Sequence, residues 1–556
     1  MDHGPDREEA IAVQRPNVLW ISTHDINPHL GSYAGVYPGA EYAVTPRLDQ
    51  LAAEGVVYDN AFASAPVCAP SRSAIYTGCH PISIGTMHMR TKAVPPPEVT
   101  LFTEYFRAAG YYTTNNWFTD FQVQTPGTAF DDCSETAHWR DRPSDDTPFF
   151  ATFQGMITHE SQIYLDDEAF AARTSHVRPE QRHDPADAPL PPYHPDTPVF
   201  RQAWARYADL ITEMDHWAGE FLDQLEEDGL AENTIVVFWS EHGLGMPRGK
   251  RWSYESGLRE PLIVRWPGVL APGQRRTELI QLMDLAPTML EVCGLPIPEH
   301  MQAKPFLDRN GAFLTQNEYA FGGRDRMDVQ EDTCRTVRDA RYRYIRNLHP
   351  DRSGMQHCEY PDHLATWAEY RRLHSLEGNQ LAAGQVRDVL TPLQRSVVAA
   401  SKPAEELYDL LEDPHETVNL IGVPEHAELL DRLRGALDGW IAEYGDLGQL
   451  PEDELLEQWR PGGRPRPTAA PDVVVRNGRF EATCATPGAS IGWTTDPAGE
   501  SEPPTFLAGA IGSPERDGRY WRLYSGPVEL SADGAVWVRA WRLGHEPSGD
   551  VAVPVA

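Results

Sequence analysis

The sequence predicts an α/β protein with a large mixed central sheet flanked by helices, a smaller C-terminal α+β subdomain and an appended all-β sandwich. Three observations predict this architecture. Short apolar runs alternate with segments of helical periodicity over 16–312. A segment rich in Pro, Gly and Arg interrupts the chain at 459–471. Beyond it, short alternating runs at 520–524 and 535–541 lie between turn residues, which is typical of a small sandwich.

The length of the chain requires more than one hydrophobic core. With 556 residues it exceeds what one core usually organises. The pattern divides it into an N-terminal tail, an α/β domain, a C-terminal subdomain, a linker and a β sandwich. Their predicted ranges are, in that order, 1–15, 16–312, 313–458, 459–471 and 472–556.

The first buried strand is predicted at 16–22, a short apolar run that begins with a Pro. It is followed at once by the polar pair His24 and Asp25. Open α/β sheets place their sites at the carboxyl ends of such strands. A helix is expected next, because Pro46 suits a first turn and Gly55 suits a helix end.

Two more helices are predicted from periodicity. Helical spacing at 101–109 stops at a Gly and precedes a strand-like run at 111–116. Residues 200–229 repeat apolar side chains every three or four positions. This repeat predicts a long helix with one buried stripe.

A second buried strand is predicted at 234–240 and a third at 261–268. The second strand ends on Glu241 and His242. Because the carboxyl ends of parallel strands share one edge of a sheet, these side chains are expected to lie near the polar pair that follows the first strand.

The composition excludes several classes of protein. A net charge of −34 argues against nonspecific binding to nucleic acid or an anionic membrane, so an anionic substrate needs a local basic cluster. The seven cysteines form no CxxC pair, which argues against a disulfide framework or a structural zinc site. No run is long enough for a membrane span, and the N-terminus lacks a secretory pattern. A cytoplasmic protein with a small imported substrate is therefore expected.

The segment APVCAPSRSAIYTG at 65–78 carries the main chemical signal. Pro70 suits the first turn of a helix, which sets Cys68 at the helix N-terminus, where free N–H groups favour negative charge. Arg72 lies one turn further on and reaches the same anion. The alternative is a buried structural Cys ahead of a helix that begins with Pro.

The wider segment CAPSRSAIYTG resembles the signature of the sulfatase family. The resemblance extends over about 16–450, and the stretches PRGKRWSYESG and GTMHMR are most similar to bacterial enzymes related to heparan N-sulfatases. The further segments that resemble sulfatases occur in the same order: PNVLWISTHD (16–25), THES (158–161), SEHG (240–243), GKRWSYESGLREPLIVRWPG (249–268) and ELYDLLEDPHETVNL (406–420).

The resemblance implies a metal-dependent hydrolase of the alkaline phosphatase superfamily that cleaves a sulfate ester or a sulfamate. Cys68 would be converted to formylglycine by a formylglycine-generating enzyme. One hydroxyl of the hydrated aldehyde would attack sulfur, and the other would later expel sulfate. Such chemistry needs a cation, basic groups around the sulfate oxygens and an acid for the leaving group. The substrate would be small, anionic and sulfated or phosphorylated; a homo-oligomer stays open.

By the same resemblance, Asp25, Glu241, His242 and His24 would be the metal ligands, together with the modified Cys68. The family usually carries Asp where this chain has His24 and Glu241. Carboxylate oxygens suit Ca²⁺, whereas imidazoles shift the preference toward Mn²⁺, Zn²⁺ or Fe²⁺. Ca²⁺ is the expected cation and Mn²⁺ the next choice. In the alternative arrangement, His24 lies behind the ligands and does not bind the cation itself.

The resemblance also implies residues on the substrate side. Lys250 matches the family's sulfate-binding lysine and His159 its substrate-side histidine, and Arg72 would orient the diol. His88 and Arg90 would line the pocket.

A second loop with substrate-binding potential is GGRDRMD at 322–328, which resembles a pocket loop of the subgroup. Arg324, Asp325 and Asp328 would contact sugar hydroxyls or an amine. The alternative is a polar loop with internal salt bridges.

One basic residue of the family pattern is missing. Related sequences carry a Lys near position 118, where this chain has Phe118, and often a His at the position of Asp120. Either another base compensates, with Arg90, Arg259 and Arg326 as candidates, or the substrate or reaction differs.

Two other functions remain open at this point. The first is a phosphodiester or phosphonate monoester hydrolase of the same superfamily, which the missing Lys and the altered metal pairs favour. The second is an enzyme fold that serves as a binding module. The presence of Cys68, Arg72 and Lys250 argues against that second alternative.

Overall fold

A computed structural model describes residues 15–314, 317–383, 389–495, 519–530 and 535–553 of the chain. Apart from Arg15, the predicted N-terminal tail lies outside the described residues, as do parts of the predicted sandwich.

An eight-stranded sheet forms the centre of the fold. Its strands are β1 (Asn17–Thr23), β2 (Val56–Phe62), β3 (Tyr112–Asn116), β4 (Asp132–Cys133), β5 (Phe149–Gly155), β6 (Thr234–Ser240), β7 (Arg259–Arg265) and β8 (Gln274–Gln281). In space they follow the order β4-β3-β5-β1-β6-β7-β2-β8. Strand β7 is antiparallel to β6 and β2, and the other pairs are parallel. The predicted mixed sheet is confirmed.

Helices lie on both faces of this sheet. They are α1 (Pro46–Glu54), α2 (Cys68–Thr77), α3 (Pro81–Ile84), α4 (Thr103–Ala108), α5 (Glu160–Ile163), α6 (Asp167–Arg173), α7 (Pro198–Glu227), α8 (Glu255–Leu258) and α9 (Leu285–Val292). Helix α4 begins later than its periodicity predicts, because the Phe102 N–H bonds the carbonyl of Tyr76 at 3.0 Å and holds the chain in a turn.

The alternation of side chains along β1 divides the core in two. Trp20 packs in one cluster, whereas Leu19 and Ile21 pack in the cluster on the opposite face. Met214 and Phe221 of α7 belong to that second cluster, so the buried stripe of the long helix covers one face of the sheet.

The register of the central strands determines where the polar strand ends meet. Thr23 of β1 pairs with Gly155 of β5 on one side and with Ser240 of β6 on the other. The three parallel strands therefore end level with one another, and the residues that follow them share one edge of the sheet.

The C-terminal part contains a four-stranded antiparallel sheet of order β12-β11-β10-β9 and several helices. Its strands are β9 (Ala320–Arg324), β10 (Cys334–Arg338), β11 (Tyr342–Asn347) and β12 (Glu405–Asp409). Its helices are α10 (Glu359–Asp362), α11 (Ala365–Ala382), α12 (Pro392–Val397), α13 (Ala427–Tyr444) and α14 (Glu452–Trp459). No helix within the described residues combines the length and apolar character that crossing a bilayer requires.

Two small antiparallel sheets follow the predicted linker. Their strands are β13 (Asp472–Arg476), β14 (Arg479–Thr483), β15 (Ser490–Thr494), β16 (Arg522–Leu523), β17 (Val528–Glu529), β18 (Val536–Trp541) and β19 (Val551–Val553). Phe480 of the first sheet and Val538 of the second lie in one buried cluster, so the predicted all-β unit is confirmed. The exact boundaries of the five predicted parts stay predictions.

The last part of the chain contacts a segment that follows Arg90. The Arg460 guanidinium donates to the carbonyls of Lys92 (3.0 Å) and Gly544 (3.2 Å). The Arg542 guanidinium donates to the carbonyl of Pro95 at 2.5 Å. These contacts attach the C-terminal sheets to the segment 92–95.

Candidate active site

Cys68 is the first residue of α2, as its sequence context predicts. The whole helix is buried and ends at Gly78, whose φ of 66° is in the left-handed region that glycine adopts readily. The Cys68 Sγ lies 3.2 Å from the Nε2 of His242. Burial and the carboxylate of Glu241 raise the pKa of the Cys68 thiol. The unmodified thiol is therefore protonated at neutral pH and is a weak nucleophile.

The ends of β1 and β6 bring four potential metal ligands to this thiol. The donor atoms of His24, Asp25, Cys68 and Glu241 all lie within 4.8 Å of one another. The Nε2 of His242 is also 3.2 Å from both Asp25 Oδ1 and Glu241 Oε1. The structure thus gathers the predicted ligand residues of both strand ends around one point.

The donor set fits a divalent cation. His24 donates from Nδ1 to Glu241 Oε1 at 2.7 Å, while its buried Nε2 has no hydrogen-bond partner among the described residues. Burial raises the pKa of Glu241, but His24 and His242 outweigh it and leave that pKa well below its usual range. An ionised, fully buried carboxylate beside a second one, on Asp25, is typical of a site that holds a cation.

Arg72 is fully buried behind this cluster. Its guanidinium donates to Glu241 Oε2 at 3.2 Å and to Gln154 Oε1 at 3.0 Å. It also donates to the backbone carbonyls of Thr119 (2.7 Å) and Phe118 (3.1 Å). Arg72 therefore links β5, β6 and the loop after β3. Gln154 was not expected from the sequence, although it stands one residue from the end of a strand.

Lys250 reaches the cluster from the other side. Its ammonium lies 3.1 and 3.0 Å from the two carboxylate oxygens of Asp25 and 3.1 Å from Glu160 Oε1. Arg251 forms a bidentate pair with Glu160 at 2.9 and 2.7 Å. Gly245 permits this approach, since a Cβ there would lie 2.2 Å from the Glu160 Cβ. Glu160 and Arg251 escaped the sequence analysis although each directly follows a predicted site residue.

Glu160→Gln should destabilise the protein by roughly 3–5 kcal/mol, because it leaves two buried cations without their shared carboxylate. Burial raises the pKa of Glu160, but the charges of Arg251 and Lys250 outweigh burial and leave that pKa below its usual value. The carboxylate is therefore ionised in the folded protein. The measurement is urea unfolding followed by tryptophan fluorescence. The matched control is Glu452→Gln, whose pair with Arg326 is partly exposed and should cost about 1 kcal/mol or less. Equal losses in both variants would contradict the importance of the buried network.

His159 follows the turn after β5. Its Nδ1 accepts from the backbone N–H of Ser161 at 3.4 Å and lies 2.9 Å from that residue's hydroxyl. Burial and the charge of Lys250 lower the pKa of His159 to about 4. A neutral imidazole that accepts at Nδ1 carries its proton on Nε2, so His159 can donate a hydrogen bond from that atom.

The loops that carry Arg90 and Asp120 are joined to each other. Arg90 lies 3.4 Å from Asp120 Oδ2, and the Gln122 amide donates to the carbonyls of Thr86 and His88. Arg90, Asp120 and Gln122 all have positive φ, as do Asp25 and Arg251, a strained conformation that is common at functional sites.

His88 and Arg90 differ in how open they are. The His88 Nδ1 accepts from the backbone N–H of Arg326 at 3.3 Å, and its buried Nε2 lacks a partner among the described residues. The side chain of Arg90 is 47% exposed.

Three basic residues were candidates to replace the missing Lys, and two of them bind other protein groups. Arg259 donates to the carbonyl of Asp59 at 2.9 Å and lies 3.6 Å from Glu255. Arg326 forms a bidentate pair with Glu452. Phe118 itself packs on His24, with ring centroids 5.1 Å apart. Arg90 remains as the candidate, since its guanidinium lies 3.4 Å from the buried carboxylate of Asp120 and its side chain is partly open to solvent.

The residues of the 322–328 loop mostly bind protein groups. Arg324 donates to the carbonyl of Arg251 at 2.6 Å. Asp325 forms a bidentate pair with Arg335 at 3.0 and 2.9 Å. The Asp328 carboxylate accepts from the Cys358 thiol at 2.9 Å, and its side chain is exposed. Internal contacts therefore account for Asp325, whereas the buried Nε of Arg324 lacks a partner among the described residues and Asp328 keeps an exposed carboxylate.

Comparison with known families gives two overlapping matches. The profile of the family described as Sulfatase matches residues 16–295. The profile described as N-sulphoglucosamine sulphohydrolase, C-terminal, matches residues 241–353.

Curated relatives cover most of the chain. An ulvan-active sulfatase of Formosa agariphila is 36% identical over 97% of this chain and 91% of its own length. The human N-sulphoglucosamine sulphohydrolase is 26% identical over 77% of this chain and 91% of its own length.

Solved structures share the fold. A protein in complex with its substrate D-glucosamine-2-N,6-O-disulfate matches with a TM-score of 0.53 at 17% identity, over 79% of this chain and 100% of that chain. A phosphonate monoester hydrolase of Agrobacterium radiobacter matches with a TM-score of 0.56 at 16% identity, over 78% of this chain and 97% of that chain. At these identities the likeness concerns the fold alone.

Proposed function

Because this chain belongs to the sulfatase family, we propose that the side chains gathered around Cys68 are its catalytic centre. The chain is a sulfuric ester hydrolase, which cleaves a sulfate ester or a sulfamate. The observation that carries the assignment of the centre is the meeting of three distant segments: His242 Nε2 lies 3.2 Å from both Cys68 Sγ and Asp25 Oδ1.

Cys68 is proposed to be the precursor of a formylglycine, made by a formylglycine-generating enzyme. In its hydrated form that group supplies a hydroxyl that attacks the sulfur atom of the substrate. The match of residues 16–295 to the sulfatase family supports this modification, since CAPSRSAIYTG resembles the family's signature. Position 68 at the N-terminus of α2 also favours developing negative charge.

The proposed cation ligands are Asp25, Glu241, His242 and His24, together with the modified residue 68. A divalent cation there lowers the pKa of a bound hydroxyl and neutralises developing charge. The two carboxylates favour Ca²⁺, and the imidazoles keep Mn²⁺ as the next choice. Arg72 orients Glu241 through the hydrogen bond from its guanidinium to Oε2.

On the substrate side, Lys250 and Arg90 are proposed to bind the sulfate oxygens. Arg90 supplies the positive charge that Phe118 does not, and Asp120 positions its guanidinium. His159 is proposed to hydrogen-bond the leaving oxygen or nitrogen through its Nε2–H, which stabilises the charge that develops there, since its Nδ1 accepts from Ser161. His88, Arg324 and Asp328 complete the proposed pocket.

The proposed substrate is a sulfated sugar. One relative is named an ulvan-active sulfatase and another an N-sulphoglucosamine sulphohydrolase, and N-sulphoglucosamine is a sulfated sugar. The local basic groups Lys250 and Arg90 suit an anion in a chain whose net charge is −34.

A panel of substrates tests this proposal. The purified protein, matured with a formylglycine-generating enzyme, should release sulfate from at least one of D-glucosamine N-sulfate, D-glucosamine 6-sulfate and N-acetylgalactosamine 6-sulfate, as measured by ion chromatography. Bis(4-nitrophenyl) phosphate at matched concentration should be hydrolysed more slowly. Faster hydrolysis of the phosphate diester would instead support the phosphodiester or phosphonate monoester alternative.

The cytoplasmic location and the oligomeric state stay predictions. The location was predicted from the N-terminal segment, and residues 1–14 lie outside the described residues. Cell fractionation of the native host tests the first, and light scattering of the purified protein tests the second.

A further inference from the structure

An exposed aromatic side chain lies beside the ionic network of the site. Tyr360, in α10, is 42% exposed. Its ring centroid is 6.0 Å from the Cζ of Arg251. Arg251 pairs with Glu160, whose carboxylate also contacts Lys250. The exposed ring thus lies next to Arg251, and two ion pairs, Arg251 with Glu160 and Glu160 with Lys250, link Arg251 to the proposed sulfate-binding lysine.

The segment that carries Tyr360 is held in place. Asp362 accepts from the backbone N–H of Cys358 at 3.1 Å and from the Arg371 guanidinium at 2.7 Å. The Cys358 thiol donates to Asp328 at 2.9 Å, which joins α10 to the 322–328 loop. These contacts fix the backbone on both sides of Tyr360, so less ordering entropy is lost when a ligand binds its ring.

A second exposed apolar side chain lies in a segment that contacts the start of α10. Val329 is 79% exposed and lies between Asp328, which binds Cys358, and Gln330, which donates to the carbonyl of His357. Exposed apolar groups that adjoin a polar site are typical of ligand-binding surfaces.

We propose that Tyr360, with Val329 beside it, forms the surface on which the sugar ring of the substrate stacks while its sulfate group is held near Lys250. The proposal rests on the proposed function and adds a binding subsite to it. A pyranose presents a face of C–H groups that packs on an aromatic ring and an edge of hydroxyls that bonds to polar groups. Asp328, whose carboxylate is exposed and accepts from the Cys358 thiol, is a polar group that such hydroxyls could reach.

The chemistry of the tyrosine suits a neutral ligand surface. Burial and the carboxylate of Glu160 raise the pKa of Tyr360 to about 12. The phenol therefore stays protonated at neutral pH, and the ring presents no charge that would repel a sulfated substrate.

The test compares Tyr360→Ala, Tyr360→Phe and the wild type on the best sulfated sugar of the panel. Removing the ring should raise KM about 5- to 10-fold, the equivalent of an aromatic contact of roughly 1–1.4 kcal/mol. It should leave kcat within about twofold, because the ring touches no reacting atom. Tyr360→Phe should keep a wild-type KM, since it retains the ring.

Two controls separate stacking from damage to the site. Inhibition by inorganic sulfate, which has no ring, should be unchanged in Tyr360→Ala. Tyr520→Ala, which removes the exposed tyrosine of the β region, should keep the wild-type KM. A wild-type KM in Tyr360→Ala, or an equal weakening of inorganic sulfate, would overturn the proposal.

The proposed function can fail separately. A wild-type enzyme that hydrolyses 4-nitrophenyl sulfate but no sulfated sugar would overturn the sugar-stacking surface and leave the sulfatase centre intact. A mature wild-type enzyme that hydrolyses no sulfate ester would overturn the proposed centre itself.

Discussion

Cys68→Ala should abolish sulfate release, by about 10⁴-fold or more, while leaving the protein folded. The substitution removes the atom that becomes the attacking group, and no neighbouring side chain can replace it at the N-terminus of α2. Loss of one buried sulfur costs about 1 kcal/mol of stability, little enough for the fold to survive. The measurements are sulfate release and circular dichroism.

The matched control is Cys79→Ala, because Cys79 is equally buried and lies just beyond the other end of the same helix. That variant should keep its activity within about twofold. Hydrolysis by Cys68→Ala at the wild-type rate would contradict the nucleophile assignment. Peptide mass spectrometry of the active wild type should also show residue 68 lighter by about 18 Da, as conversion of a thiol to an aldehyde requires.

Removal of divalent cations should be the second large effect, with activity falling at least about 100-fold and returning when Ca²⁺ or Mn²⁺ is added. The carboxylates of Asp25 and Glu241 are fully buried within one small cluster, and a cation is needed to organise them for catalysis. The readouts are activity after dialysis against EDTA, metal content by mass spectrometry, and the rise in melting temperature on re-addition.

Asp25→Asn should weaken metal retention in the same experiment. Its control is Asp215→Asn, which removes another buried carboxylate: Asp215 accepts from the backbone N–H groups of Arg47 (3.1 Å) and Leu48 (2.7 Å) at the start of α1. That control should lose stability but keep its metal content. Full activity in a protein shown to be free of divalent metal would contradict the proposed cation site.

Local sequence signals located much of the centre. Asp25 and His242 follow apolar runs that end in polar residues, and the rule for parallel sheets then places both at one edge. Pro70 indicates the helix that presents Cys68. These predictions succeed because each depends on a few consecutive residues and on a general property of strands or helices.

Contacts between residues that are far apart in the sequence could not be predicted from such local signals. The contact of Lys250 with Asp25 spans 225 positions, and that of Arg251 with Glu160 spans 91. Nothing in either segment specifies its partner. Strand β5, which brings Gln154 and Glu160 to the site, is different: its apolar run after Pro148 ends at Gly155 and was readable as a buried strand.

The candidates that could replace the missing Lys include one with a local partner and one with a distant partner. Arg259 lies four residues after Glu255, a spacing that suggests a local ion pair. Arg326 pairs with Glu452, which is 126 positions away, so its commitment could be recognised only in the folded protein. Arg90 became the leading candidate through the partners of the other two.

The contacts of Arg460 with Lys92 and of Arg542 with Pro95 join residues 368 and 447 positions apart. At a translation rate of about 5–20 residues per second, the segment just after Arg90 leaves the ribosome roughly 20–90 s before Arg542 exists to hold it. During that interval the nascent chain lacks the contacts that hold residues 92–95, the segment that follows the proposed sulfate-binding Arg90. A chain released before Arg542 would therefore contain every proposed catalytic residue, but this segment would be held less firmly.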